Sequence, residues 1–206
     1  MSIVDSTDLS RKGYLPMRAF LIFALLSLAN ASPSRATSLL RFDLEGLTAN
    51  AAQIFVGTCT TSSTELVDGR VYTRIHFDVE ESLKGDLPDQ VAVYLPGGEH
   101  QGTRVQIAGM PTFAPEEEIV LFLTAQNQRG HAWPVGLAQG KFHIERRGAA
   151  QKARVLQDLD GLSFYAPTGT AKSADKQADL GDMALEEFLV QIRALTGAER
   201  GGGDVH

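Results

Sequence analysis

The sequence predicts a mainly β domain, a small antiparallel barrel or sandwich, with a short N-terminal helix and an amphipathic C-terminal helix. Three observations carry this expectation. About eight short runs of strand character fall within about 110 residues, with a turn signal about every ten. One run alternates cleanly: Val71, Thr73, Ile75, Phe77 and Val79 share one face, and Tyr72, Arg74, His76, Asp78 and Glu80 share the other. A sheet with one dry and one wet face has this pattern, so Phe77 is expected to be buried and His76 and Asp78 exposed. Stretches of helical spacing stand at both ends of the strand-rich region.

In chain order, Leu40, Leu44, Leu47 and Ala51 recur at helical spacing through LRFDLEGLTANAA, which predicts a two- or three-turn helix acting as a lid on the core. Gln53–Thr61 reads as a strand and SSTELVDGR as a polar turn centred on Asp68-Gly69, a hairpin signal. After the alternating strand, Lys84-Gly85-Asp86 and Pro88 break the chain, and Gln90–Pro96 forms the next strand. Gly97-Gly98 is read as a loop with positive φ angles. Thr103–Gly109 is read as a strand with Val105 and Ile107 turned inward. Glu118–Ala125 is a nearly continuous apolar run, the signature of a central strand buried on both faces. HAWPVGL, with Pro134 and Gly136, predicts an irregular strand. Gly140–Arg147 predicts a regular one, and RVLQDL with GLSFYA a last hairpin around Asp160-Gly161.

Residues 167–180 have low hydrophobicity and read as a linker. The C-terminal helix is expected over 181–197, capped by Asp182 and ended by Gly197. Leu185, Phe188, Leu189, Ile192 and Leu195 form its apolar stripe, which either docks on the chain's own sheet or serves a partner. Residues 198–206 are expected to be a disordered tail.

The N-terminal region bears on compartment. Arg18 precedes the apolar run Ala19–Leu26, and Ala29-Asn30-Ala31 is a small-x-small cleavage site, so residues 1–31 read as a secretory signal peptide, with Met17 a possible true start. The run is too short to cross a hydrocarbon core, which needs roughly 20 helical residues, so no permanent membrane anchor is expected after cleavage. About 175 residues remain, 32–166 forming the β domain with its leading helix, enough for one core. The removed segment carries Arg11, Lys12 and Arg18 against Asp5 and Asp8, a charge of +1, so the −6 chain becomes −7. An acidic domain with no basic run gains nothing from phosphate counterion release, which excludes nucleic acid as an expected partner.

Candidate chemistry is sparse. Cys59 is the single cysteine, so no internal disulfide forms; it reads as a small buried hydrophobe, with a reactive thiol as the alternative. His131 and His143 lie on two expected strands and could meet across a hairpin to hold a metal, or could be ordinary rim histidines. His76 is read as solvated. Glu116-Glu117-Glu118 is either a solvated edge guarding the apolar run behind it or a set of carboxylates for acid–base work. Asp158-Leu159-Asp160-Gly161 is a hairpin turn rather than a calcium loop, since the downstream ligands of such a loop are absent. Gly97-Gly98 lacks the lysine and strand–helix setting of a phosphate loop, and no nucleophile elbow occurs. No catalytic, cofactor-binding or metal residue is assigned.

The order of segments "IFVGT", "YTRIHFDVEESLKG", "VAVYLPGG", "GMPTFAPEEEIVLFL" and "GLAQGKF" resembles a family of uncharacterised exported bacterial proteins, some of them found beside or fused to metalloprotease-like domains. The strand ending in Val56-Gly57, the one ending in Leu83-Lys84-Gly85 and the later apolar strand are also similar to the netrin-like fold, the OB-type barrel of the tissue inhibitors of metalloproteinases. The resemblance spans about Leu40–Ile144 and implies an OB-like barrel in an extracytoplasmic setting. Those inhibitors chelate the protease zinc through a disulfide-bonded N-terminal cysteine. Here Cys59 is internal, so no inhibitory residue carries over and the activity stays open.

The sequence therefore points to a secreted or periplasmic, non-enzymatic binding domain whose partner is a protein or an envelope polymer, with no cofactor. The alternatives are an envelope hydrolase or metal-dependent enzyme with a dispersed site, and an assembly factor acting through the C-terminal helix. Mass spectrometry of the protein isolated from cells is expected to find an N-terminus close to Ser32. Retention of Met1 or Met17 overturns the export reading.

Overall fold

The computed structural model describes residues 37–148, 151–159, 162–165, 180 and 182–201. The signal peptide expected over 1–31, the Asp160-Gly161 turn, the linker up to 179 and His206 lie outside the described residues. A short strand, β1 (Thr37–Leu40), leads into helix α1 (Leu44–Asn50). Asp43 caps that helix by accepting a hydrogen bond from the Gly46 N–H at 2.7 Å. The expected stripe is thus shortened: Leu44, Leu47 and Ala51 are buried, while Leu40 sits in the strand before the cap and is 54% exposed. Lys84 Nζ closes the other end by donating to the Thr48 carbonyl at 2.8 Å.

The remaining elements are β2 (Gln53–Val67), β3 (Arg70–Lys84), β4 (Gln90–Pro96), β5 (Gly98–His100), β6 (Thr103–Val105), β7 (Glu118–Leu123), β8 (Lys141–Glu145), β9 (Arg154–Leu156), β10 (Leu162–Tyr165), β11 (Met183–Ala184) and helix α2 (Leu185–Gly201). Seven strands form one antiparallel sheet in the order β11-β9-β8-β7-β2-β3-β4. Two small pairs stand apart, β5 with β6 antiparallel and β1 with β10 parallel. The protein is mainly β, with two helices on described residues.

Two cores lie on opposite faces of this sheet. Ile54 and Val56 of β2, Val120 and Phe122 of β7, and Phe142 and Ile144 of β8 pack against both helices. Phe55 and Cys59 of β2, Ile119 and Leu121 of β7, Ile75 and Phe77 of β3, and Val93 and Leu95 of β4 fill the other side with Phe113. The apolar run of β7 is explained: Ile119 to Phe122 have no exposed surface because each face meets its own core. The register of β2 on β3 slips between Ile54 and Phe55, between Val56 and Gly57, and between Cys59 and Thr61. Such bulges raise local twist and bend the strand. Gly57 is part of the bend, since a Cβ there would lie 2.5 Å from the Asp78 carbonyl oxygen.

Several expectations are corrected. The segment Ser62–Val67 is strand rather than turn, because it pairs with β3 residue by residue, and only Asp68 and Gly69 turn, with φ of 50° and 71°. Phe77 is fully buried and Asp78 exposed as expected, but His76 is half-buried and Tyr72, on the expected wet face, is 5% exposed. The loop after β7 folds back over that face, stacking the His131 ring on Tyr94 at 4.9 Å and setting it edge-on to Tyr72 at 5.3 Å. HAWPVGL is not a strand; it makes one bridge, Leu123 to Pro134, and then a 3-10 turn at Leu137–Gly140. RVLQDL and GLSFYA do not form a hairpin, since β9 pairs with β8 and β11 while β10 pairs with β1. Asp182 caps no helix; its carboxylate pairs with Arg154, whose guanidinium also donates to the Asp182 carbonyl at 2.8 Å. Gly197 lies inside α2, which continues through the good helix formers Ala198, Glu199 and Arg200 to Gly201.

Helix α2 docks on the chain's own sheet. Phe188 and Ile192 are fully buried, and the Phe188 ring lies 4.6 Å from that of Phe142. Arg193 adds a forked ion pair to Glu81 of β3, with its Nη2 2.7 and 2.8 Å from the two carboxylate oxygens. No helix among the described residues is long and apolar enough to cross a membrane. Urea denaturation is expected to show Phe188→Ala losing about 3–5 kcal/mol. Val190→Ala, on the helix's 60% exposed outer position, is expected to stay within about 0.5 kcal/mol. Equal effects would mean that the helix does not dock through this stripe.

Candidate binding groove

Beyond Cys59 the β2–β3 hairpin continues as an arm in which β2 adds no core residue, while β3 still carries the buried Ile75 and Tyr72. Thr60 to Ser63 are exposed, and the arm is held by cross-strand pairing from Thr61–His76 to Val67–Arg70. Its tip carries Leu66, 54% exposed. The chain leaves β4 through Gly97 and Gly98, with φ of 106° and 128°, as the sequence leads one to expect. A Cβ on Gly98 would lie 2.6 Å from Thr73 Oγ1 and 2.8 Å from Thr64, so only glycine lets this backbone lie against the arm. Two hydrogen bonds fix the contact: Gly97 N–H donates to the Val71 carbonyl at 2.9 Å, and Thr73 Oγ1–H donates to the Gly97 carbonyl at 2.8 Å.

The short β5–β6 hairpin then faces the arm's tip. Between them lies a groove of about 660 Å³, lined by Leu66, Arg70, Val71, Pro96, His100, Val105, Ile107 and Trp133 among others. Val105 and Ile107 are 38% and 39% exposed, which corrects the expectation that they point inward; β6 ends at Val105 and never joins the main sheet. Trp133 is brought to the rim by the loop after β7, through Thr124 N–H to the Trp133 carbonyl at 2.8 Å and Trp133 N–H to Thr124 Oγ1 at 3.2 Å. A second hollow of about 270 Å³ shares Pro96, Gly97, Val105 and Ile107 with the first and adds Arg104, Thr112 and Phe113. The two hollows therefore adjoin, the first lined by Trp133 and the second reaching Ile75, Leu95 and Phe113 of the core.

The titratable residues singled out in the sequence gather elsewhere. His131 and His143 do not form a pair: His131 is held by two tyrosine rings, whereas His143 Nδ1 lies 3.4 Å from Glu117. Among the described residues no cluster of three or more histidine, cysteine, aspartate or glutamate side chains could hold a metal ion. The three glutamates divide. Glu116 takes φ of 67° at the turn, Glu118 pairs with Arg146 at 2.7 Å, and Glu117 is tucked in, its side chain 14% exposed. That corrects the reading of all three as a solvated edge. Glu117 accepts from the Ala114 N–H at 3.0 Å and pairs with Lys141 Nζ at 2.6 Å; Lys141 also donates to the Thr112 carbonyl and sits over the Phe113 ring. This ion pair clamps the β7 entry loop to β8. It also lines a third hollow, about 550 Å³, with His143 and Asp158.

Cys59 is fully buried and free, with its Sγ directed at the Thr61 carbonyl 3.8 Å away. Its backbone is tied to the acidic turn, the N–H donating to the Glu117 carbonyl and the carbonyl accepting from the Glu116 N–H. Leu66, Arg70, Arg104, His100 and Trp133 were not read as a site from sequence. The available signals were the apolar pair Leu66-Val67 in an otherwise polar stretch and the chain's single tryptophan. Comparison of the chain with protein-family models, with curated proteins and with solved structures finds no match.

Burial, and next the Glu117 carboxylate, push the Cys59 thiol above its ordinary value of 9.0, with Lys141 pulling the other way. A thiol whose proton is held more tightly in the folded state contributes stability that is complete below the unfolded value and is lost as pH rises toward the folded one. The melting midpoint is therefore expected to fall as pH passes about 9, and to fall less steeply in Cys59→Ala. A thiol-reactive dye is expected to label Cys59 only on unfolding. Rapid labelling of the native protein would contradict the buried placement.

Proposed function

We propose that the chain is a non-enzymatic binding domain exported to the periplasm or beyond, and that it takes a protein partner in the groove between the β2–β3 tip and the β5–β6 hairpin. The single observation that carries this is the cluster of Leu66, Val105, Ile107 and Trp133, apolar side chains left open to solvent around one concavity. Exposed apolar groups gathered in a groove, rather than scattered singly, mark interaction sites. A tryptophan at the rim supplies the large rigid surface that binding hot spots use.

The scaffold is proposed to be an OB-like barrel of the netrin-like kind. Support comes from the way the sheet curls. Edge strand β4 lines a hollow of about 260 Å³ through Gln90–Tyr94, and the far side of that hollow is Leu123 of β7 with residues Gln126 and Gly130–Ala132. The His131 ring spans toward β4 by stacking on Tyr94.

The test is capture from envelope extract with the full chain and with the variants Leu66→Ser and Ile107→Ser. Both positions are exposed, so melting midpoints are expected to stay within about 4 °C of the parent. A discrete protein retained by the parent and lost by both variants supports the reading. An identical retained set for all three overturns it.

A further inference from the structure

We infer that the partner segment held in this groove is acidic as well as apolar, and that Arg70 and Arg104 read its carboxylates. The inference rests on the proposed binding groove and goes further in naming the chemistry of what fills it.

The argument starts from where the chain leaves its arginines. Arg146, Arg147, Arg154 and Arg193 each pair with a carboxylate. Arg129 donates to the Tyr72 hydroxyl at 3.2 Å, Arg74 lies over the Tyr94 ring, and Arg41 also has a partner. Among described side chains, Arg70 and Arg104 are the two arginines with no such contact, and both are exposed. They are far apart in sequence, yet the fold brings one to each of two hollows that share Pro96, Gly97, Val105 and Ile107. His100 adds an imidazole to the lining of the first hollow. No carboxylate lines either hollow, although the chain as a whole carries a net charge of −6. The nearest acidic positions in sequence are Asp68, in the hairpin turn, and Glu99, opposite Arg104 in the β5–β6 register; neither lines these hollows or forms an ion pair with these arginines.

An acidic domain that keeps one concave surface free of carboxylates and supplies it with unpaired guanidinium groups is electrostatically complementary to an anion. Guanidinium groups favour carboxylates, which they can hold with two parallel hydrogen bonds. The apolar lining calls for leucine-, isoleucine- or phenylalanine-like side chains between those carboxylates. A peptide presents both on one strand. A lipid bilayer fits less well, because the net negative charge opposes an anionic membrane.

The experiment uses the full chain and a library of random peptides displayed on phage, with Ile107→Ser for counter-selection. Trp133, the single tryptophan, reports occupancy by its fluorescence. Selected peptides are expected to be enriched in aspartate and glutamate next to bulky apolar residues, and to shift Trp133 emission. In the double variant Arg70→Glu with Arg104→Glu, their affinity is expected to fall by about tenfold or more, with the melting midpoint unchanged. Selected peptides that are neutral or basic, or that bind the double variant undiminished, overturn the acidic assignment while leaving the groove reading intact. Peptides that bind Ile107→Ser as well as the parent overturn the groove reading itself. Phosphatidylglycerol vesicles that shift Trp133 emission when no peptide does would make the surface a lipid site and overturn the inference.

Discussion

Strand β2 has to serve two cores at once, and the rest of the molecule follows from how it does so. Ile54 and Val56 face the helices, while Phe55 and Cys59 face the opposite core. Period-two alternation would carry this pattern along a flat strand, but the cores lie on the two sides of a bending sheet. The three register slips against β3 supply the bend. Gly57 permits the close approach to the Asp78 carbonyl that the bend demands. Because β7 pairs with β2 over Gln53–Thr58, it inherits burial on both faces, which is why Ile119–Leu123 is five apolar residues in succession. Past Cys59 the strand has used up its buried positions, and what continues is the arm.

Much of this was legible in the chain. The alternation around Phe77, the apolar run of β7, the bounds of β4, the Asp68-Gly69 turn and the positive φ of Gly97 and Gly98 are all local signals, set by side-chain period or by steric rules. What was not legible depends on residues far apart. Tyr72 looked wet because its own strand alternates; it is dry because the loop after β7 brings Arg129 and His131 across it. Val105 and Ile107 looked buried for the same reason in reverse, since alternation identifies a face without saying whether anything covers it. The pairing of β10 with β1 in parallel could not be anticipated from a hairpin signal between its neighbours.

Gln139 shows the same limit in a polar residue. It is 1% exposed, and its side chain accepts from the Phe42 N–H at 2.9 Å and donates to the Leu40 carbonyl at 3.0 Å. A buried amide is tolerated only when its donors and acceptors are used, and here they fasten the segment before α1 to the loop after β7. Nothing in GLAQGKF marks that glutamine as different from a surface one. The Glu117–Lys141 pair is comparable. Its members are 24 residues apart and look like separate surface charges, until the β7–β8 ladder brings them together beside Phe113.

The exposed apolar side chains of the groove lie outside both cores, and that placement has a physical consequence. Leu66, Val105, Ile107 and Trp133 belong to neither packed cluster, so their exposure takes nothing from the burial that holds the sheet to its helices. The arm's backbone is instead secured by its ladder to β3 and by the Gly97 contacts with Val71 and Thr73. Preorganised backbone beneath exposed side chains is the arrangement that lowers the ordering cost of association. The arginines differ in the same way. Arg154 of β9 and Arg193 of α2 are spent on ion pairs that hold Asp182 and Glu81, whereas Arg70 and Arg104 stay hydrated and unpaired at little cost until an anion arrives. Stability and recognition therefore draw on different side chains: the two packed clusters hold the sheet together, and the exposed residues of the β2–β3 tip, β6 and the loop after β7 line the groove.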